Sequence, residues 1–589
     1  MINKVSQGLR FLAKPLLLNI PFFLWSLLLQ SPLLISWLHN APLKALYMFL
    51  NIGDGATSDL YFVIILSIVI VYACYIVSKM TIVGGRFLKI LIYVLLILTF
   101  IARKFLMSEF GLQLTPSTFS LLQETNNHEV SGFIGDYLLS AIGLKYFMMA
   151  LGLGFVVGFS DWVYGKKNLQ HKLAFMSKGL GTFVVISIII GIPAIIGGYN
   201  QLMAAPGGQS TFSAIHCTLL KMSKTSEESH CFWNKIDEIA SKANVANCQE
   251  DSLNVVFVLG ESFIKSHSSL YGYPLKTMPY MEKEQQEGNL FVFKDEVSPF
   301  NGTSNAMKNL FCLNDLSKGE KWYSHVFWPQ LFKKAGFKLY LWDNQKNFDK
   351  KHGNTFYEMY SHRVSKLCYD EMNENVFDFD EYIVDDFAKR INITKRAKNF
   401  VWFHLMGQHF AFADKCPEDK KIFKAKDIKR SDSFLTSDMK QVIADYDNAV
   451  YYNDYVLEKI IGLFRNTNSV VVFISDHGEE AYDYRAKASR PAMEIGKEKE
   501  YAHCQHDVPL LIWCSNMYIQ KHPNIVGDFS KSLNNPSMTD KIGYTLLKLA
   551  NIETPIYKSD KDVTSLNFRK NKRFIYLMGG EKLDYDRLK

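Results

Sequence analysis

Two apolar runs far apart in this sequence each stop abruptly at residues able to hold a cation. Asn254–Gly260, NVVFVLG, runs into Glu261, and Ser469–Ser475, SVVVFIS, runs into Asp476 and His477. Short β-branched runs bounded in this way read as strands buried on both faces of a parallel sheet. Open α/β sheets bind ligands just beyond the carboxyl ends of their strands. Two carboxylates and an imidazole meeting there make a donor set suited to zinc. The alternative is that Glu261 caps a helix and Asp476-His477-Gly478 makes a turn; the pairing of the two motifs favours the metal.

A third stretch, Ser298–Leu313, SPFNGTSNAMKNLFCL, reads as a turn at Asn301-Gly302 followed by a helix from Ser304, with Thr303 at its N-cap. Threonine is a common cap, its oxygen accepting from an orphan amide. The other reading is a nucleophile, because a bound cation and a helix N-terminus both favour the alkoxide. Further predicted strands also end in polar residues. Phe337–Trp342 meets Asp343, Asn344 and Gln345, and Asn399–Phe403 meets His404 and then His409. Val508–Cys514 follows His503 and His506. Such recurrence points to a single active rim.

The elements that must position these residues fall into two regions. A chain of 589 residues exceeds one domain at about 150 residues each. Residues 1–200 are intensely apolar; from residue 251 to 589, strands alternate with amphipathic segments, the pattern of an α/β domain. Residues 201–250 read as a linker with bridging helices. The formal charge is +8, without a basic stripe interleaved with aromatics, which argues against a nucleic-acid partner. No CxxC pair exists, which argues against a cysteine zinc cage, and the eight cysteines after Cys74 are an even number that permits disulfides. Cys514, ending an apolar strand, reads as a free core thiol.

Five spans are expected in the first region: Leu16–Leu38, Leu60–Val77, Phe87–Ala102, Tyr146–Val163 and Gly179–Gly198, each near the roughly 20 residues a crossing needs. Pro21 and Pro32 are expected to kink the first, and Lys89 to snorkel to the interface from the third. The start lacks a signal-peptide cleavage site, so the first span should be a retained anchor. Basic residues concentrate before span one (Lys4, Arg10, Lys14), between two and three (Lys79, Arg86, Lys89) and between four and five (Lys166, Lys167, Lys172). That bias puts the N-terminus inside and everything after Gly198 outside, with Arg103 and Lys104 as a mild objection. The polar stretch Ser108–Asp136, forming a loop near 106–136, reads either as a surface linker or as an interfacial helix carrying Glu124 and Asn126 towards the active rim.

In combination these residues resemble one known family. Gly260-Glu261-Ser262, then SLYGYPLKTMP at 269–279, Gly302-Thr303, HLMGQH at 404–409 and SDHGEE at 475–480 stand in the order seen in phosphoethanolamine transferases. These belong to the alkaline-phosphatase and sulfatase-like superfamily and include the lipid A-modifying enzymes behind polymyxin resistance. The resemblance extends over nearly the whole chain, including the LLQETN loop with Glu124. It implies a five-span helical bundle in the bacterial inner membrane, followed by a periplasmic α/β/α catalytic domain with a mostly parallel central sheet. It also implies one firmly bound zinc held by Glu261, Thr303, Asp476 and His477, with Thr303 as nucleophile. His409 and a histidine before the Val-Pro strand would assist near the phosphate, through a second zinc that could join during turnover. Relatives often carry histidine directly before that Val-Pro pair; here Asp507 stands there, and His506 is preferred to His503. Asn344 and Gln345 resemble the family's substrate-contacting amide pair, whereas His404 reads equally as a substrate contact or a core residue. The donor implied is phosphatidylethanolamine and the acceptor lipopolysaccharide, on a lipid A phosphate or core sugar, with the protein acting as a monomer. Rivals are a glycerol-phosphate transferase of the lipoteichoic-acid type and a non-catalytic membrane scaffold. No Cys/Ser-x-Pro-x-Arg stretch is present to mature into a sulfatase nucleophile.

Overall fold

A computed structural model of the chain describes residues 2–30, 69–110, 134–167, 169–197, 228, 231–232, 234, 246–345, 369–393, 397–486, 488, 498–577 and 582–588. Two compact units result, one drawn from residues 1–222 and the other built on Ser223–Lys589.

The first unit is helical. Helices α1 (Ile2–Leu18) and α2 (Ile20–Gln30) are bent by 69° at Asn19. The cause is local: Pro21 has no N–H for the Leu17 carbonyl one turn back, and that carbonyl instead accepts from the Tyr164 hydroxyl. The expected kink at Pro21 is therefore present, while Pro32 lies outside the described residues. Helix α3 (Ile82–Phe105) outruns the expected third span, α4 (Ala141–Lys166) contains the fourth, and α5 (Ser177–Gly197) matches the fifth. Of the second span only the part in the short apolar helix Val69–Lys79 is described. Two helices, Ile82–Glu109 and Ala141–Lys166, are long and apolar enough to cross a membrane, or three if the bent pair is one span. The five expected crossings are thus met by two clear candidates among the described residues. The Lys89 ammonium pairs with Asp161 of α4 at 3.2 Å; a charge among apolar helices is cheaper to pair than to leave alone.

The second unit is a three-layer α/β/α domain around an eight-stranded sheet of order β4-β3-β5-β1-β6-β7-β2-β8. The strands are β1 (Leu253–Gly260), β2 (Leu290–Val297), β3 (Lys338–Asp343), β4 (Glu371–Met372), β5 (Lys398–His404), β6 (Ser469–Ser475), β7 (Asp507–Cys514) and β8 (Ser537–Met538). All eight residues of β1 are buried. Val255, Phe257 and Leu259 enter the core on one face, and Val256 and Val258 enter the other. Helix α6 (Thr303–Leu310) packs in the first core through Met307 and Leu310, and the 28-residue α7 (Ser437–Phe464) packs in the second. Pairing is parallel throughout except for β7, which runs antiparallel to both β6 and β2. The carboxyl ends of β1, β2, β3, β5 and β6 therefore share one edge with the beginning of β7. A short hairpin, β9 (Phe574–Tyr576) and β10 (Lys582–Asp584), follows. Every described cysteine is a free thiol, buried Cys514 among them; Cys217 and Cys368 lie outside the described residues.

Candidate active site

Glu261, Asp476 and His477 meet at that edge, all fully buried, each offering a ligand atom within 4.8 Å of the others. Register explains the meeting. Gly260 sits opposite Ser475 in the β1–β6 ladder, so the next residue of each strand steps off the sheet at the same level. Glycine leaves room at 260, where a Cβ would meet the buried Phe473 ring at 2.9 Å and force it to shift. Ser262 has φ of +59°, uncommon for a residue with a side chain. In that conformation its amide donates to Asp476 Oδ1 at 3.1 Å and its hydroxyl to Glu261 Oε1 at 2.7 Å. One strained residue thereby ties the two carboxylates together.

Thr303 completes the group. Its hydroxyl donates to Glu261 Oε2 at 3.1 Å and lies 3.3 Å from His477 Nε2. The helix N-cap falls on Gly302, making Thr303 the first residue of α6 and not the cap itself. No capping bond consumes its oxygen.

The donor chemistry fits a divalent metal. His477 Nδ1 sits 2.7 Å from the Gly478 carbonyl, which can only accept, so Nδ1 carries the proton. Its Nε2 then faces Asp476 Oδ2 at 3.1 Å and Glu261 Oε1 at 3.4 Å. Glu261 takes hydrogen bonds from Ser262, Thr303 and Gln345. Two buried carboxylates converging on an imidazole lone pair make the oxygen and nitrogen donor set that a divalent cation such as zinc takes.

The remaining predicted residues are distributed unevenly. Gln345 reaches the centre, its amide donating to Glu261 Oε2 at 3.1 Å and to the Leu405 carbonyl at 2.7 Å. Asn344 does not, for it is buried with its amide on Asp380 and its oxygen accepting from the Phe377 amide. His404 is wholly buried, stacked on Trp402 with Nδ1 3.1 Å from Asp343. His409 follows a turn in which Gly407, with φ of +51°, lies against the Glu261 backbone and the Gln408 amide donates to the Glu261 carbonyl at 3.0 Å. His506 is buried, its Nδ1 2.8 Å from the Ser298 carbonyl. Burial lowers its pKa to about 4, against weaker opposing effects of Ser298 and Asp507, leaving it neutral. His503 is partly exposed and pairs with Asp507 at 2.9 Å. Glu124 and Asn126 lie outside the described residues.

Three further participants escaped sequence reading. Ser262 is one. Ser298 bridges the arms of the site, its amide donating to the His506 carbonyl and its hydroxyl to the Asp476 carbonyl. Asp380 accepts from Asn344, Met406 and Gly407, pinning the 405–409 turn. Only the positive φ at Ser262 was open to inference, from the tight Gly-Glu-Ser exit off β1.

The family model described as Sulfatase matches residues 253–552, half of the chain. The chain belongs to the sulfatase family. Within that family its curated relatives include phosphoethanolamine transferase EptC of Escherichia coli K12, 25% identical over 340 residues, covering 56% of this chain and 57% of that protein. Phosphoethanolamine transferase EptA of Helicobacter pylori is 24% identical over 434 residues, covering 71% and 74%. The chain thus spans under three-fifths of the length of the first of these relatives. Among solved structures, the integral membrane phosphoethanolamine transferase EptA of Neisseria meningitidis aligns over 95% of this chain and 98% of its own, with 18% identity and a TM-score of 0.52. The periplasmic domain of E. coli EptC aligns over 59% of this chain and 95% of its own, with 24% identity and a TM-score of 0.50. The expected resemblance is borne out, as is the expected order of apolar helices followed by a mostly parallel sulfatase-family domain.

Proposed function

We propose that this chain transfers phosphoethanolamine from phosphatidylethanolamine to a lipopolysaccharide acceptor, a lipid A phosphate or core sugar, through a covalent intermediate on Thr303. The observation that supports this most is the Thr303 hydroxyl, held within 3.3 Å of both Glu261 and His477 at the start of α6. The relatives named phosphoethanolamine transferases supply the substrate class.

Glu261, Asp476, His477 and Thr303 would hold zinc, which when bound supplies Lewis acidity and favours the Thr303 alkoxide. In the first step the Thr303 Oγ–phosphorus bond forms as the bond from phosphorus to the diacylglycerol oxygen breaks, and that oxygen leaves with a proton. In the second, an acceptor oxygen bonds to phosphorus as the Thr303 Oγ–phosphorus bond breaks, and the acceptor's proton returns to Oγ. The amides at the start of α6 face the charge on the phosphoryl oxygens. Neutral His506 and His409 would accept or return protons around the phosphate; Gln345 orients Glu261. The apolar helices would anchor the enzyme in the bacterial inner membrane, where a bilayer lipid is reachable. The basic-residue bias supports a cytoplasmic N-terminus and a periplasmic catalytic unit.

The test is intact mass of the detergent-purified full chain, loaded with zinc and incubated with phosphatidylethanolamine, beside a Thr303→Ala control. A gain of one phosphoethanolamine, absent from the control, is expected. A glycerol-phosphate adduct from phosphatidylglycerol, or headgroup release undiminished in the control, refutes the reading.

A further inference from the structure

Residues beyond 552 lie outside the matched family region, yet their hairpin and the turn Tyr585–Arg587 that closes it touch both arms of the site. One contact is with the segment leading to Thr303. The Tyr576 amide donates to the Pro299 carbonyl at 2.8 Å, and the Tyr576 ring stacks on Phe300 at 5.0 Å with 19° between planes. A second contact is with the segment around His506. The Tyr585 hydroxyl donates to Asp507 and lies 2.7 Å from His503 Nδ1. A small separate core joins the two, made of Val297 at the end of β2, Ala502 of helix α8 (Lys499–His506), Met538, Ile575 and Tyr585. Arg573 fastens the base of the hairpin to Asp295 at 2.5 Å and to Asp586 at 2.6 Å.

The two arms are already crossed beneath it, because Ser298 exchanges hydrogen bonds with His506 and reaches the Asp476 carbonyl. Phe300 is three residues before Thr303 and Asp507 one after His506. A shift of either arm would move a reacting group relative to the buried metal ligands. Near-attack geometry is steep in distance, with a displacement of about 1 Å costing on the order of 100-fold.

We infer that the C-terminal hairpin is a positioning element of the catalytic site, holding Thr303 and His506 in mutual register; this rests on the transferase reading above. Tyr576 and Tyr585 touch no reacting atom and act through Phe300 and Asp507. The experiment uses the detergent-purified full chain with mixed micelles of phosphatidylethanolamine, and compares Tyr576→Ala, Tyr576→Phe and Tyr585→Phe with the unaltered protein. Tyr576→Ala is expected to lower kcat for headgroup release roughly tenfold with KM and zinc content unchanged. Tyr576→Phe keeps the ring stack and the amide, loses only the 3.3 Å hydrogen bond from its hydroxyl to the Leu316 carbonyl, and restores it. Tyr585→Phe, which keeps the ring in its small core, lowers kcat in the same direction. Hydrogen exchange is read alongside, with faster exchange at amides 303–306 expected in Tyr576→Ala. Unaltered kcat and unaltered exchange in Tyr576→Ala overturn the inference, as does a loss confined to KM. If the unaltered protein releases no headgroup, the transferase reading fails, and the exchange comparison alone decides the hairpin's role.

Discussion

Gly407→Ala tests how closely the 405–409 turn bears on the proposed metal ligands. Position 407 has φ of +51°, and a Cβ there would meet the Glu261 carbonyl oxygen at 2.8 Å and its amide nitrogen at 2.9 Å. Both atoms are backbone at the exit of the central strand, so no side-chain rotation relieves the contact. Left-handed backbone costs an L-residue about 1–2 kcal/mol, and overpacking of a close-packed site about 1–3 kcal/mol. Together they destabilise the fold by about 2–5 kcal/mol. Gly272→Ala is the control, because its φ is +95° and nothing lies within 4 Å of its Cβ; it carries the conformational cost alone. Relaxing the Glu261 contact to the 3.4 Å of ordinary van der Waals approach needs a shift of roughly 0.6 Å. On the steepness of near-attack geometry this lowers turnover by about tenfold. The assay pairs thermal unfolding with zinc affinity, measured by chelator competition, and headgroup release. The reasoning is refuted if Gly407→Ala is no less stable than Gly272→Ala and binds zinc as the unaltered protein does.

Two further perturbations address the supports of the site. Asp380→Asn replaces two accepting oxygens by one, yet Asn344, Met406 and Gly407 all donate to that side chain; one buried donor loses its partner, at about 1–3 kcal/mol. Lower stability and lower turnover are expected together in melting and headgroup-release assays, and unchanged turnover would show that the turn is held by other means. The second concerns buried His267, whose Nδ1 is 2.6 Å from Asp447 and Nε2 2.8 Å from Asp483. Burial alone would lower its pKa, but the Asp483 and Asp447 carboxylates raise it to about 10. A folded pKa above the unfolded value of about 6.5 means stability fully present below pH 6.5 and lost as pH rises through 10. Melting points should fall across that window, less steeply in His267→Gln; equal slopes would disprove the charged clamp.

The four central residues of the candidate site were legible because they sit where a strand ends or a helix begins, and both are local features. Glu261, Asp476 and His477 each follow an unbroken apolar run, and parallel register then brings adjacent strand ends to one level without further information. Thr303 was legible as the start of a helix, where the turn at Asn301-Gly302 and the helix itself are also local. The pairing of His506 with the same rim was harder. The strand that follows it begins there only because β7 runs against both β6 and β2, and direction is set by neighbours and not by the strand's own residues.

What stayed hidden depends on partners far along the chain. Asp380 lies in an acidic stretch, FDFDEY, that reads as solvated surface; its burial follows from donors 26, 27 and 36 residues away. Asn344 and Gln345 are adjacent amides, yet only Gln345 reaches Glu261, because Asn344 is taken by Asp380 and Phe377. The C-terminal hairpin is the extreme case. Its contacts with Phe300 join residues more than two hundred positions apart, and no periodicity within 574–588 points to them. A local pattern can therefore name the candidate groups for the chemistry, while the residues that hold those groups in place emerge only once the sheet has set which loops meet.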